Sequence, residues 1–488
     1  MNNGYYKTKT ILLLTLCTCL LQSGCMVGPD YKAPEPNAPA KWAGQAGPQG
    51  AESPEKILLQ WWTEFNDPNL TSLIERAMQS NLDLKLAEER IRQARATLGV
   101  VEAPFWPTAD VTASYTRNRA GGPVPTTSNL FMTGLDAVWE LDIFGGTRRS
   151  IEAAKADIQA SIEDRRDVLV TLASEVALNY VQLRGFQQEI VIAQNNLQAQ
   201  RQSAEVVRKR YEGGFVSALD VANADAQVAT TLSQIPVLET SAQQAIFNLS
   251  VLLGREPAAL LEELSPPSSI PVTPPEVPTG LPSEMLRRRP DIRRAEAQIH
   301  SATAQIGVAT ADLFPKFNLA GSVSLQADKP SQLRWSQRAW SFGPSVDWQI
   351  FAAGRVWSNI EVQKSLQQQA LLDYKKTVLT ALQDVENALV AYDKEHQRNS
   401  ALIDAVSANL KAVELSTELY AEGQTEFLSV LVAQGSLYSS EEALVQSTRN
   451  LSTDLVALYK ALGGGWDSNP PQTTQPASLM NAMPNGTK

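Results

Sequence analysis

The chain is poor in the residues that do chemistry, with three cysteines and two histidines in 488 residues. Cys17 and Cys19 fall inside an N-terminal leader-like stretch, so only Cys25 would survive export and no disulfide framework is available. His300 and His396 stand apart on helical segments, and each reads as a satisfied surface side chain rather than a metal ligand. No Gly-rich phosphate loop and no Ser-His-Asp grouping in a matching context is visible, so the sequence offers no catalytic residues, metal site or cofactor. There is no polybasic run, and the formal net charge is -10, which argues against nucleic acid. Beyond Cys25 no stretch is long and apolar enough to cross a bilayer as a helix. Helix breakers are also scarce in two places: 147–212 holds no Pro and one Gly, Gly185, and 356–422 holds neither.

What is present begins with an address. Lys7 and Lys9 precede an apolar run from Ile11 to Leu21 that ends in Ser23-Gly24-Cys25, the pattern of a secretory signal. A small pair followed by Cys resembles a bacterial lipobox, which makes Cys25 the expected lipidated N-terminus, although Gln22 departs from the usual aliphatic or small residue. Met26 is not acidic, so delivery to the outer membrane is expected.

The mature chain is written twice. Leu82-Asp83, Ala87-Glu88, Gly99 and Trp106-Pro107 align without a gap on Pro290-Asp291, Ala295-Glu296, Gly307 and Phe314-Pro315. Phe144 to Arg148 falls on Phe351 to Arg355, and Tyr211-Glu212-Gly213-Gly214 on Tyr420-Ala421-Glu422-Gly423. The unit is far longer than a solenoid repeat and implies pseudosymmetry about an axis.

Each copy contains one helical segment that would reach about 100 Å. Apolar residues recur on it by sevens: Leu169, Val176, Leu183, Ile190, Leu197 and Ala204 in the first copy, Leu371, Val378, Val385, Tyr392, Val406, Val413 and Tyr420 in the second. That period implies left-handed coiled packing on neighbouring helices. Asn179 and Asn399 interrupt the rows as packing or register devices.

In front of each long helix the period changes to two. Val111, Ala113 and Tyr115, then Leu135, Ala137, Trp139, Leu141 and Ile143, alternate with polar residues; the second copy repeats this with Phe317 to Leu325 and Trp340 to Ile350. These are two hairpins with strands of about ten residues, joined by polar loops at 117–129 and 327–338, and Pro344 counts against regular pairing. Strands of that length with one apolar face suit a membrane barrel. Four strands cannot close in lipid, so the barrel must be shared between copies; eight or twelve strands are equally compatible with the sequence.

Several stretches carry a family resemblance: Gly24-Cys25-Met26-Val27-Gly28-Pro29-Asp30-Tyr31, Trp61-Trp62 with Phe65 and Asp67-Pro68, Trp139 to Gly145, Phe351 to Arg355, and Gly280-Leu281-Pro282-Ser283 running into Arg288-Arg289-Pro290-Asp291. In that order they resemble the TolC-like outer-membrane efflux proteins, most closely the OprM/NodT-type lipoprotein branch. The resemblance implies a mixed α and transmembrane β fold and a homotrimer, with long coiled helices forming an α-barrel tunnel below a shared twelve-stranded β-barrel. It further implies a channel in the cell outer membrane, in contact with its lipid, that passively conducts small molecules from an inner-membrane pump of the RND type and a periplasmic adaptor. No enzyme activity is expected. The rival reading is a lipid-anchored coiled-coil envelope scaffold without a conduit.

The expected map runs from a signal peptide (1–24) and a lipidated extended segment (25–60) to the first repeat (61–255), with its hairpin near 108–144 and helix at 147–212. A Pro-rich linker (256–282) leads to the second repeat (283–465), with a hairpin near 316–351 and helix at 356–422, and a polar tail (466–488). Control is expected at the periplasmic tips, where Gly213, Gly214 and Gly423 break the long helices. Asp220, repeated threefold, would gather three carboxylates there. In the second copy, relatives' common Asp and Arg are replaced by Val432 and Gly435, so closure is expected to rest on Leu428, Leu431 and Val432 as an apolar constriction.

Overall fold

The computed structural model describes residues 26–35, 39, 41–43, 58–123, 125–271 and 282–466; Cys25, the leader and the tail beyond Trp466 lie outside them. Helices α1 (Pro68–Ser80), α2 (Leu82–Glu102), α3 (Gly146–Glu212) and α4 (Ala218–Leu252) belong to the first copy. Helices α5 (Pro282–Arg288), α6 (Pro290–Ala311), α7 (Arg355–Ala421) and α8 (Phe427–Ala461) belong to the second. The duplication persists in the lengths: α3 and α7 have 67 residues each, and α4 and α8 have 35 each. No described helix is long and apolar enough to cross a membrane.

The chain divides into two compact units. The first takes 1–37, 86–165 and 290–379 and contains a four-stranded antiparallel sheet of β1 (Thr108–Ala120), β2 (Thr126–Leu141), β3 (Lys316–Ala327) and β4 (Arg338–Asp347), in that spatial order. Its central pairing, Leu135 opposite Val323, joins the return strand of one copy to the outgoing strand of the other. The first hairpin runs further than expected, with Arg117 paired to Asn129 and Ala120 to Thr126, because the Thr-rich stretch extends the ladder instead of looping. The second stops sooner. β4 ends at Asp347, and Trp348 lies beyond it with its indole donating to the Leu313 carbonyl at 3.1 Å, as the Trp139 indole does to Phe105 at 3.1 Å. The alternation through Ile350 therefore outlasts the strand. Pro344 sits opposite Leu319 on an edge strand, where a missing N–H disrupts no second ladder.

The segment after Cys25 is clasped to this unit. Val27 N–H donates to the Phe144 carbonyl at 3.1 Å. Gly28 adopts a positive φ, and a Cβ there would lie 2.4 Å from the Gly307 Cα, so no side chain fits. Arg149, only 2% exposed, donates to Asp30 Oδ1 and Glu152 Oε2, both at 2.7 Å, and to the Val27 carbonyl at 3.2 Å. His300 is not isolated: its Nε2 lies 3.0 Å from Glu152 Oε1 and its ring stacks on Tyr31 at 4.3 Å.

The second unit takes 38–85, 166–289 and 380–488. Asp67 caps α1 through the N–H groups of Asn69 and Leu70 and also accepts from the Tyr180 hydroxyl at 2.8 Å. Trp61, Trp62 and Phe65 are buried, with Trp61 stacked on Tyr459. The heptad residues Val176, Leu183, Leu197 and Ala204 of α3 and Val385 and Tyr392 of α7 are buried, as coiled packing requires. Asn399 donates to Ser447 Oγ and Thr448 Oγ1, both at 3.2 Å, which fixes α7 against α8 in one register. The described part of the Pro-rich linker is fastened too. Arg184 donates to the Pro266 carbonyl and Gln187 to that of Leu264, while Ile270 packs with Val181 and Val445.

Candidate functional site

Two surfaces carry the residues singled out in the sequence: the helix tips in the second unit and the sheet in the first. At the tips α3 and α7 end alike. Phe215 N–H returns to the Arg210 carbonyl and Gly214 N–H to Tyr211; Gln424 N–H returns to Leu419 and Gly423 N–H to Tyr420. Both are Schellman turns, and Gly214 and Gly423 hold the positive φ, +78° and +79°, that such a turn demands. Gly213 does not need that freedom. A Cβ there would meet the exposed Phe215 ring at 2.8 Å, which a swing of that ring relieves.

The starts of the returning helices differ. Ser217 caps α4 with a full capping box: its hydroxyl oxygen accepts from the Asp220 N–H at 3.4 Å and its own N–H donates to Asp220 Oδ2 at 3.0 Å. Within one chain Asp220 therefore has a local structural partner. At the start of α8 the cap residue, Glu426, forms no side-chain cap bond. Leu428 and Val432, one helical turn apart, are exposed, whereas Leu431 packs against a buried cluster of Ala204, Val207, Ala224, Tyr420, Phe427 and Val430. The three residues expected to act together thus divide into two that project and one that packs.

Sequence reasoning missed the tie between the tips. Arg210 donates to the Tyr420 carbonyl at 2.5 Å, and its guanidinium lies 4.7 Å from the Tyr420 ring centroid. Burial pushes the Tyr420 hydroxyl above its ordinary range. The available signal was an arginine set one residue before the aligned Tyr211, where the second copy has Leu419. Arg208 is also paired, with Asp225.

The sheet has two distinct faces. On one, Val111, Leu135, Val323 and Trp340 form a row across all four strands, and all are exposed; Phe342 and Val346 continue it along β4. On the other face the neighbouring row is Asp110, Asp136, Ser322 and Ser341, with the two serine hydroxyls 2.8 Å apart. β1 and β4 leave an unpaired edge at each side.

Comparison with known proteins gives this geometry a context. The model of the family described as outer membrane efflux protein matches residues 73–255 and 281–464, once in each copy. Nodulation protein T of Rhizobium leguminosarum bv. trifolii is 33% identical over 453 residues, spanning 92% of this chain and 96% of its own. The pyoverdine export outer membrane protein OpmQ of Pseudomonas aeruginosa is 33% identical over 94% of this chain and 97% of its own. Among solved structures, the outer-membrane channel OprN superposes with a TM-score of 0.85 at 37% identity, covering 91% of this chain and all of its own. The chain belongs to the outer membrane efflux protein family. Its function is that of an outer-membrane channel in an efflux system.

Proposed function

We propose that three copies assemble into a single conduit, with their four-stranded sheets closing a twelve-stranded barrel and their long helices forming a tunnel on the periplasmic side. The carrying observation is the exposed row Val111, Leu135, Val323 and Trp340 on a sheet with two open edges. A bilayer accepts such a face only when every edge is paired, which requires neighbouring copies. The polar rows then face the lumen.

Transport through such a tube needs no bond chemistry and no cofactor, and the chain acts as a duct rather than an enzyme. Energy comes from an inner-membrane pump of the RND type, coupled through a periplasmic adaptor. A lipid on Cys25 anchors the chain to the outer membrane, and the clasp of Val27, Asp30 and Tyr31 holds the following segment in place. The tips form the control point. Leu428 and Val432 supply the constricting side chains, Leu431 the packing beneath them, and three copies of Asp220 an acidic ring. Arg210 fixes the spacing of the two Schellman turns.

Native mass measurement on protein extracted from outer-membrane fractions in mild detergent tests the assembly. Three acylated copies are expected, with the acyl mass lost in Cys25→Ala. A soluble, unacylated monomer or dimer would return the advantage to the envelope scaffold.

A further inference from the structure

The apolar face of the sheet does not end the same way at its two ends. On β1 it reads Val111, Ala113, Tyr115 and then Arg117 and Arg119; on β4, read back from its end, it reads Val346, Pro344, Phe342, Trp340 and then Arg338. Register places these arginines at the loop end of both edge strands, Arg117 opposite Asn129 and Arg338 opposite Leu325. The helix end of the same face carries Ala109, Trp139, Leu141, Phe317 and Val346, without a charge.

The three arginines are exposed, and among the described residues none forms an ion pair. Arg338 is steadied by its neighbour, its guanidinium lying 5.6 Å from the Trp335 ring centroid and donating to the Trp335 carbonyl at 3.3 Å. Beside Arg117, the Tyr115 ring stacks on Phe131 at 4.6 Å and its hydroxyl donates to Asn129 Oδ1 at 3.1 Å. An apolar wall, then an aromatic band, then unpaired guanidinium groups is a surface graded for a lipid with acyl chains below and anionic groups above. Arginine presents a planar fork that matches two phosphate oxygens, and three of them gathered at the loop end of one face favour a phosphate-dense leaflet.

We propose that Arg117, Arg119 and Arg338 form a phosphate-binding collar for a phosphorylated glycolipid of the outer leaflet. This rests on the barrel reading above. Lipid, rather than free phosphate, is the fitting ligand because the arginines adjoin the exposed apolar rows of Tyr115, Trp340 and Phe342, which an inorganic ion leaves uncovered. The three-fold assembly brings β4 of one copy beside β1 of the next, so Arg338 joins Arg117 and Arg119 of the adjacent copy across each seam.

The test uses the full-length protein in phosphatidylethanolamine vesicles that contain either bis-phosphorylated lipid A or its dephosphorylated form. Glycolipid retained after gentle extraction is counted by native mass spectrometry. Retention of the phosphorylated form is expected, falling roughly fivefold per arginine removed and on the order of a hundredfold for Arg117→Gln, Arg119→Gln and Arg338→Gln together. The corresponding triple change to Lys, which keeps the charge and loses the fork, should retain an amount between the two. Equal retention of both glycolipids by the unaltered protein overturns the collar and leaves the barrel standing, and this arm decides the matter even where the Gln variant fails to fold. Displacement of the lipid by millimolar inorganic phosphate also overturns it, since the site would then serve the ion alone. Failure of the protein to enter the vesicles removes the barrel and the collar together.

Discussion

The two long helices have the same length and the same aligned ends, yet their surroundings differ. On α3 the exposed large apolar residues are Val191, Val206 and Tyr211; on α7 they are Trp357, Val362, Leu366, Leu372, Leu379, Val390, Ile403, Leu410, Leu415 and Leu419. Duplication supplied two equal rods, and the chain covers the first while leaving much of the second bare. Bare apolar surface on that scale marks an interaction site, and under the proposed assembly a second copy of the chain is the partner that would cover it. The helix starts repeat the contrast. Arg149, aligned with Val356, is buried and ion-paired to Asp30 of the N-terminal segment and to Glu152 on its own helix, whereas Val356 packs with Ala309 and Ile360 in a plain apolar cluster.

The sharpest way to break this comparison is to charge the bare helix. Leu372→Asp with Leu379→Asp should abolish the proposed trimer by native mass, because each change loses roughly 3 kcal/mol per copy in burial and desolvation. Val191→Asp on α3 should leave the copy number unchanged. If the trimer survives the double change, α7 is not an intersubunit face. Next in size, Arg149→Met should cost about 2 kcal/mol in urea unfolding, since it leaves the half-buried Glu152 and the Val27 carbonyl without their donor while the exposed Asp30 stays solvated. Val356→Ala in the other copy should cost about 2 kcal/mol through its cavity alone. Loss of the Arg149 contacts should also expose the segment around Asp30 to protease, which the valine change should not.

At the tips, Leu428→Ser with Val432→Ser should raise leakage of a large antibiotic roughly fivefold, about 1 kcal/mol of barrier. Leu219→Ser in the first copy should raise it less. Unchanged leakage in the double variant would end the apolar constriction.

The smallest effect is a pH dependence in the second unit. Burial, with Glu395 adding to it, pushes the Asp454 carboxyl up to about 6. A carboxyl raised in the folded state favours folding when protonated, so its penalty is absent below about pH 4 and complete above about pH 6. Asp454→Asn should therefore stabilise the protein at pH 7 by about 1 kcal/mol, discounted for partial solvation, and by nothing measurable near pH 4. A constant gain across that range would point to packing instead.

The features that were legible in the sequence are those set by local pattern. Helix α3 begins at Gly146 and ends at Glu212, and α7 runs from Arg355 to Ala421, each within a residue of the stretches without Pro, because heptads and missing breakers act along the chain. Alternation likewise marked both hairpins, but it carries no information about partners. The pairing of β2 with β3, the early end of β4 and the long first hairpin depend on which residues meet across strands. The turn glycines Gly214 and Gly423 were readable because positive φ has a sequence signature. Arg210 and Arg149 were not, since an arginine on a helix reads as solvated until its distant acceptors, the Tyr420 carbonyl and Asp30, are known.

The order β1-β2-β3-β4 places the seam between the duplicated halves inside one polypeptide and leaves β1 and β4 as its open edges. A lone chain in the bilayer would carry two raw hydrogen-bonding margins. If three copies close the barrel as proposed, insertion becomes a counting step: copy number has to be settled before or during entry into lipid, and a damaged chain that cannot recruit two others is kept out of the membrane rather than left as an open leak.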